Sequence, residues 1–111
     1  MTDKKIILTT AGTKDEAQDI AWALLERKQA ACVNIVAVDS VYLWKSEIEN
    51  NAEHMLIIKT TAEACAKVQE TIKELNSYDV PEYIEIPIEA GSESYLQWVA
   101  SCVAPQSEES A

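Results

Sequence analysis

"ACVNIVAVDSVYLWKSEIENNAEHMLIIKTT", residues 31–61, is the stretch whose reading decides the fold. Cys32, Asn34, Val36 and Val38 fall on one side of a period-two pattern, and Val33, Ile35 and Ala37 on the other. Val41 to Trp44 continue in extended form, a polar run follows, and "MLIIKTT" resumes an apolar strand. The pattern predicts two long antiparallel strands joined by a polar turn near Asn50 and Asn51, making a hairpin. A strand from Ala31 to Trp44 would be roughly 45 Å long at about 3.3 Å per residue. A compact domain of this chain length has a radius of gyration of only about 13 Å. Part of the hairpin is therefore expected to protrude, and Tyr42, Leu43 and Trp44 on exposed strands are expected to pair with another chain.

Outward from the hairpin, "KKIILTT" reads as a short buried strand over about Lys5 to Thr10, broken by Gly12. Thr13 and Glu16 have capping-box spacing, and Ala17, Ile20, Ala21, Leu24 and Leu25 repeat on one helical face as far as Ala30. After the hairpin, Thr60 and Glu63 again suggest a capping box. Cys65, Val68, Ile72 and Leu75 then place a second amphipathic helix up to about Asn76. In "EYIEIPIEA" Tyr83, Glu85 and Pro87 alternate with Ile84, Ile86 and Ile88, and the missing amide of Pro87 confines this strand to an edge or a bulge. "SESYLQWVASCV" makes a third helix. The order is βαββαβ plus a C-terminal helix: an α+β, ferredoxin-like sandwich with a long protruding hairpin. A single domain is expected over residues 1–103, with a loose acidic tail over 104–111.

Bulk composition narrows the function. The 111 residues carry 19 Asp and Glu against 9 Lys and Arg, a net charge of −10, which opposes nucleic-acid binding through phosphate contacts. No apolar run is long enough for a membrane span. Three cysteines without a CxxC spacing fit neither a disulfide framework nor a zinc knuckle, and point to reduced thiols in the cytoplasm. No GxSxG, P-loop or GxGxxG occurs, and Gly12 and Gly91 are the only glycines. Phosphatase chemistry on this fold would need an arginine in the first loop, whereas the sole arginine, Arg27, sits late in helix one. His54 has no partner carboxylate fixed by spacing and reads as a solvent-facing hairpin residue. No catalytic constellation emerges, so no enzyme is expected. Trp22 lies off the apolar stripe of its helix, Trp98 reads as core or interface, and Trp44 as an interface anchor.

"NSYDVPEYIEIPI", residues 76–88, is the densest cluster of special residues. Asp79, Glu82 and Glu85 are hard oxygen donors in type, while Pro81 forces Val80 extended, as a helix-to-strand corner requires.

Taken in order, "ACVNI", "SVYLWKSEIE", "LIIKT", "SYDVPEYIEIPI" and "YLQWV" closely resemble the CutA family, the divalent-cation tolerance proteins, from about Ile6 to Val103. The resemblance implies a non-enzymatic cytoplasmic homotrimer with a role in tolerance to divalent metals, notably copper. It implies no obligatory cofactor. It also implies a trimer architecture like that of the PII signalling proteins, so the alternative is a regulatory or scaffold trimer binding a small ligand or a protein partner. The metal site implied by the resemblance lies at Glu82 and at Asn76, where many members carry a histidine. Some members also have a cysteine where this chain has Thr9 or Thr10. The donors present are oxygens, so weak binding of a divalent cation such as copper through Glu82 is expected in acidic clefts between subunits, with Tyr78 and Lys59 as cleft neighbours.

Overall fold

A computed structural model describes residues 2–105; the residues of the expected tail beyond 105 lie outside it. The elements are β1 (Lys4–Ala11), α1 (Lys14–Glu26), β2 (Cys32–Trp44), β3 (Glu47–Thr61), α2 (Cys65–Leu75), β4 (Ile84–Pro87) and α3 (Glu93–Cys102). The strands form one antiparallel sheet in the order β2-β3-β1-β4. This is the expected ferredoxin-like arrangement with an added helix. Pro87 lies on the edge strand β4, opposite Lys5, where its missing amide costs no interior ladder bond.

Strand register sorts the side chains into two faces. Ile7, Thr9 and Ala11 of β1 share a face with Leu56, Ile58 and Thr60 of β3 and with Val33 and Ile35 of β2. Ala17, Ile20 and Leu24 of α1 and Cys65, Val68 and Ile72 of α2 close over that face as one buried cluster. α3 packs across β1 and β3, and its Val99 is fully buried outside that cluster. Val36, Ile84 and Ile86 belong to the face turned away from α1 and α2, and remain exposed on a single chain.

The hairpin arm protrudes, and the molecule measures 43 × 32 × 22 Å. Its turn is not near Asn50 and Asn51. Trp44 pairs with Glu47, and the two loop residues Lys45 and Ser46 both take positive φ, at 52° and 69°, as a twist-matched two-residue hairpin turn requires. The asparagines are strand residues whose amides tie the arm together. Asn50 Nδ2 donates to Asp39 Oδ1 at 2.9 Å, and Asn51 Nδ2 donates to the Tyr42 hydroxyl at 2.6 Å. A strand wet on both faces is polar throughout, and so resembles a loop in sequence.

Two helix ends also differ from expectation. α1 stops at Glu26, not Ala30, because Lys28 adopts φ 55°. The Lys28 amide then donates to Leu25 O and the Gln29 amide to Leu24 O, a Schellman closure. At α2 no Thr60–Glu63 box forms. Thr60 Oγ1 donates to Gln29 O, Ala64 is the cap residue, and Thr61 Oγ1 accepts from the Ala64 amide. At α1 the Thr13 side chain does accept from the Glu16 amide, while the Glu16 carboxylate accepts from the Ser77 amide.

A left-handed lysine carries a Cβ penalty of about 1–2 kcal/mol that glycine avoids, partly offset by glycine's greater unfolded-state entropy. Lys28→Gly is therefore expected to raise unfolding free energy by about 0.5–1 kcal/mol in urea titration.

Candidate functional site

The candidate site lies between the hairpin arm and the corner that follows α2. Asn76 leaves the helix in extended conformation, and its side chain clamps the corner from both ends. Its Nδ2 donates to Thr10 O at 2.9 Å, and its Oδ1 accepts from the Tyr78 amide at 2.9 Å, the i to i+2 bond of an Asx turn. Thr9 Oγ1 donates to Glu82 O at 2.6 Å, pinning the far end of the corner to β1. Between these anchors the Tyr78 ring crosses Gly12. A Cβ there would stand 3.2 Å from the phenol oxygen, so glycine is what allows the ring so close. The Tyr78 hydroxyl donates to Glu53 Oε2 at 2.6 Å and joins the corner to the arm.

The cleft between them is open to solvent on one side and has a volume of about 880 Å³. Its carboxylates are Glu49 and Glu53 from β3 and Asp79 and Glu82 from the corner; Tyr42, Trp44 and Tyr78 supply aromatic walls. Among the described residues no lysine, arginine or histidine lines it. Burial, and then the neighbouring Glu53 carboxylate, push the Glu82 carboxyl above its ordinary range. Burial, and then Glu53 as acceptor, push the Tyr78 phenol far up, so it stays neutral and donating.

Folded Glu82 holds its proton to higher pH than the unfolded chain does, so its contribution to stability falls as pH rises through that interval. Glu82→Gln is accordingly expected to be more stable than the parent at neutral pH, with the difference vanishing below about pH 4. Urea midpoints measured across pH 3–8 check this; an offset constant with pH would contradict it.

The structure brings Asn76 and Glu82 to the same corner but uses them differently. Both polar atoms of the Asn76 amide are engaged with backbone, whereas Glu82 lines the cleft. Tyr78 and Thr10 line it as well. Lys59 does not: it lies farther along β3, where its ammonium bonds the Asn34 side chain and approaches Cys32 Sγ at 3.9 Å. His54 is not a solvent-facing turn residue, because it lies within β3 opposite Ala11 and Ala37 with a buried, unpartnered Nδ1. Arg27 bonds Glu74 at 3.0 Å and Thr71 at 3.1 Å, away from the cleft. Among the described residues no three His, Cys, Asp or Glu side chains converge as a metal cluster, and no helix is long and apolar enough to cross a membrane. The residue sequence reasoning missed is Glu53, only 8% exposed. Its signal was register: with the turn at Lys45–Ser46, it lies opposite Val38 at the root of the arm.

A family model described as "CutA1 divalent ion tolerance protein" matches residues 5–102, nearly the whole chain and all of the cleft. The chain belongs to the CutA1 family. The divalent-cation tolerance protein CutA of Thermus thermophilus is 40% identical over 97 residues, covering 86% of this chain and 94% of that protein. The solved structure of the "Periplasmic divalent cation tolerance protein CutA" from Archaeoglobus fulgidus superposes with a TM-score of 0.89 at 40% identity, covering 91% and 99% of the two chains. CutA1 from Oryza sativa superposes at 0.88 with 35% identity over 91% and 94%.

Proposed function

We propose that this CutA1-family chain acts in tolerance to divalent cations, copper among them, as a non-enzymatic cytoplasmic homotrimer that binds the cation weakly in its acidic cleft. The observation carrying this reading is the pairing of Glu82 with Glu53 across a cleft free of basic side chains. A buried and a half-buried carboxylate that repel one another gain from a shared cation. Glu82 supplies the corner's donor; Asn76, whose amide is engaged, holds that donor in place. Oxygen donors alone favour weak, exchangeable binding over tight copper capture. The trimer reading is supported by the exposed Leu43 and Ile48 on the arm and by the open sheet face at Val36, Ile84 and Ile86. The cytoplasmic reading is supported by three unpaired cysteines.

Calorimetric titration of metal-free protein with Zn(II) and Cu(II) tests this. Binding is expected in the parent and at least about tenfold weaker binding in Glu82→Ala, because one of two paired carboxylates is lost. Heat unchanged by the substitution would remove Glu82 from the site.

A second reading, a regulatory trimer that binds a small organic ligand, is favoured by one observation. The cleft's volume of about 880 Å³ falls in the range of small-molecule sites and far exceeds the space a bare ion needs.

A further inference from the structure

We infer that the cleft is a binding site for an organic cation, an alkylammonium or quaternary amine, held between aromatic faces and carboxylates. The inference rests on the small-ligand reading of the cleft and names the chemical class of that ligand.

Side chains alternate along the arm. β2 and β3 pair Tyr42 with Glu49 and Leu43 with Ile48, so aromatic and acidic residues share one face while Leu43 and Ile48 take the other. Leu43 is 73% and Ile48 76% exposed, and that apolar face suits a second copy of the chain. The first face turns toward the corner, where Tyr42, Trp44 and Tyr78 stand with Glu49, Glu53 and Glu82 around one cavity. A metal ion has no use for three aromatic rings; an alkylated cation does, because ring faces attract positive charge and also shed water from methyl and methylene groups.

Two further observations point the same way. Lys45 Nζ lies 5.9 Å from the centroid of the Trp44 ring, so the chain's own ammonium already uses that ring as a cation platform. Glu53 is more than nine-tenths buried and lines the cavity; its Oε2 accepts from the neutral Tyr78 hydroxyl, and among the described residues no cationic side chain pairs with its carboxylate. A buried carboxylate without a cationic partner is costly, and a positively charged ligand in the cavity offsets that cost.

Calorimetric titration of the full chain with choline, set against choline's uncharged carbon isostere, tests the proposal. Choline is expected to saturate one site per chain, with the isostere at least about tenfold weaker, since it forfeits the desolvated cation–π contacts. Trp44→Leu and Glu53→Gln are each expected to weaken choline about tenfold or more. Glu49→Gln, at a half-exposed position with no fold to lose, is expected to weaken it by a smaller factor. Equal binding of choline and the isostere, no choline heat, or choline affinity unchanged in all three variants would overturn the proposal. Zinc titrations of the same proteins separate the two readings. Zinc bound without choline overturns the organic-cation site alone, and choline bound without zinc overturns the divalent site alone.

Discussion

The double substitution Leu43→Glu, Ile48→Glu is expected to leave a folded chain whose mass by light scattering falls threefold, to the 12.3 kDa of a single copy. Both side chains lie on the arm's outer face and neither belongs to the buried core. In an isolated chain they are large apolar groups in water, at the end of a hairpin whose β2 edge offers unpaired backbone groups. In an assembly the same groups would be buried, and each glutamate introduced there would cost several kcal/mol of desolvation without a partner. Circular dichroism should be unchanged, because the ferredoxin-like body folds around other residues. A parent protein that is already monomeric at micromolar concentration, or a double variant of undiminished mass, would contradict the reading of the arm.

Ile58→Ala is expected to cost about 2–5 kcal/mol, the largest stability loss among the single substitutions discussed. Ile58 is fully buried in β3, opposite Ile7 on one side and Val33 on the other, within the cluster closed by α1 and α2. The cost combines lost transfer free energy with the void that a rigid sheet and two helices cannot collapse to fill. Against a total of about 5–15 kcal/mol for a domain, this is a large fraction. Trp22→Ala is the contrasting case: the ring is 66% exposed, and the change is expected within about 0.5 kcal/mol. Urea midpoints of the two variants should separate widely at unchanged denaturant slope; similar midpoints would contradict the placement of the core.

Much of the fold was legible because its signals are local. The short apolar run of β1, the period-two run of β2, the three- and four-residue steps of α1 and α2, and the missing amide of Pro87 each report their own surroundings. The off-stripe position of Trp22 was legible for the same reason. What was not legible depended on backbone states that the side chain does not announce. Lys45, Ser46 and Lys28 all adopt positive φ, where glycine or asparagine would have marked the turn or the helix end. Misplacing the hairpin turn by about five residues hid the register. Register is what sets Glu53 opposite Val38 and brings Tyr42, Trp44 and Glu49 onto the face that meets the corner. Glu82 was found because its motif is dense in special residues. Glu53, one acidic residue in a polar run, became visible only when the Tyr78 hydroxyl was seen to bond it.

Anomalous scattering from crystals soaked in zinc, collected on either side of the metal absorption edge, shows whether the cleft between arm and corner holds a divalent cation through Glu82 and Glu53. A peak is expected within coordination distance of a Glu82 carboxylate oxygen, facing Glu53, and it is expected to disappear in Glu82→Ala crystals. A cleft without a peak in fully soaked crystals, or a zinc ion bound only at residues outside it, would overturn the proposed metal site.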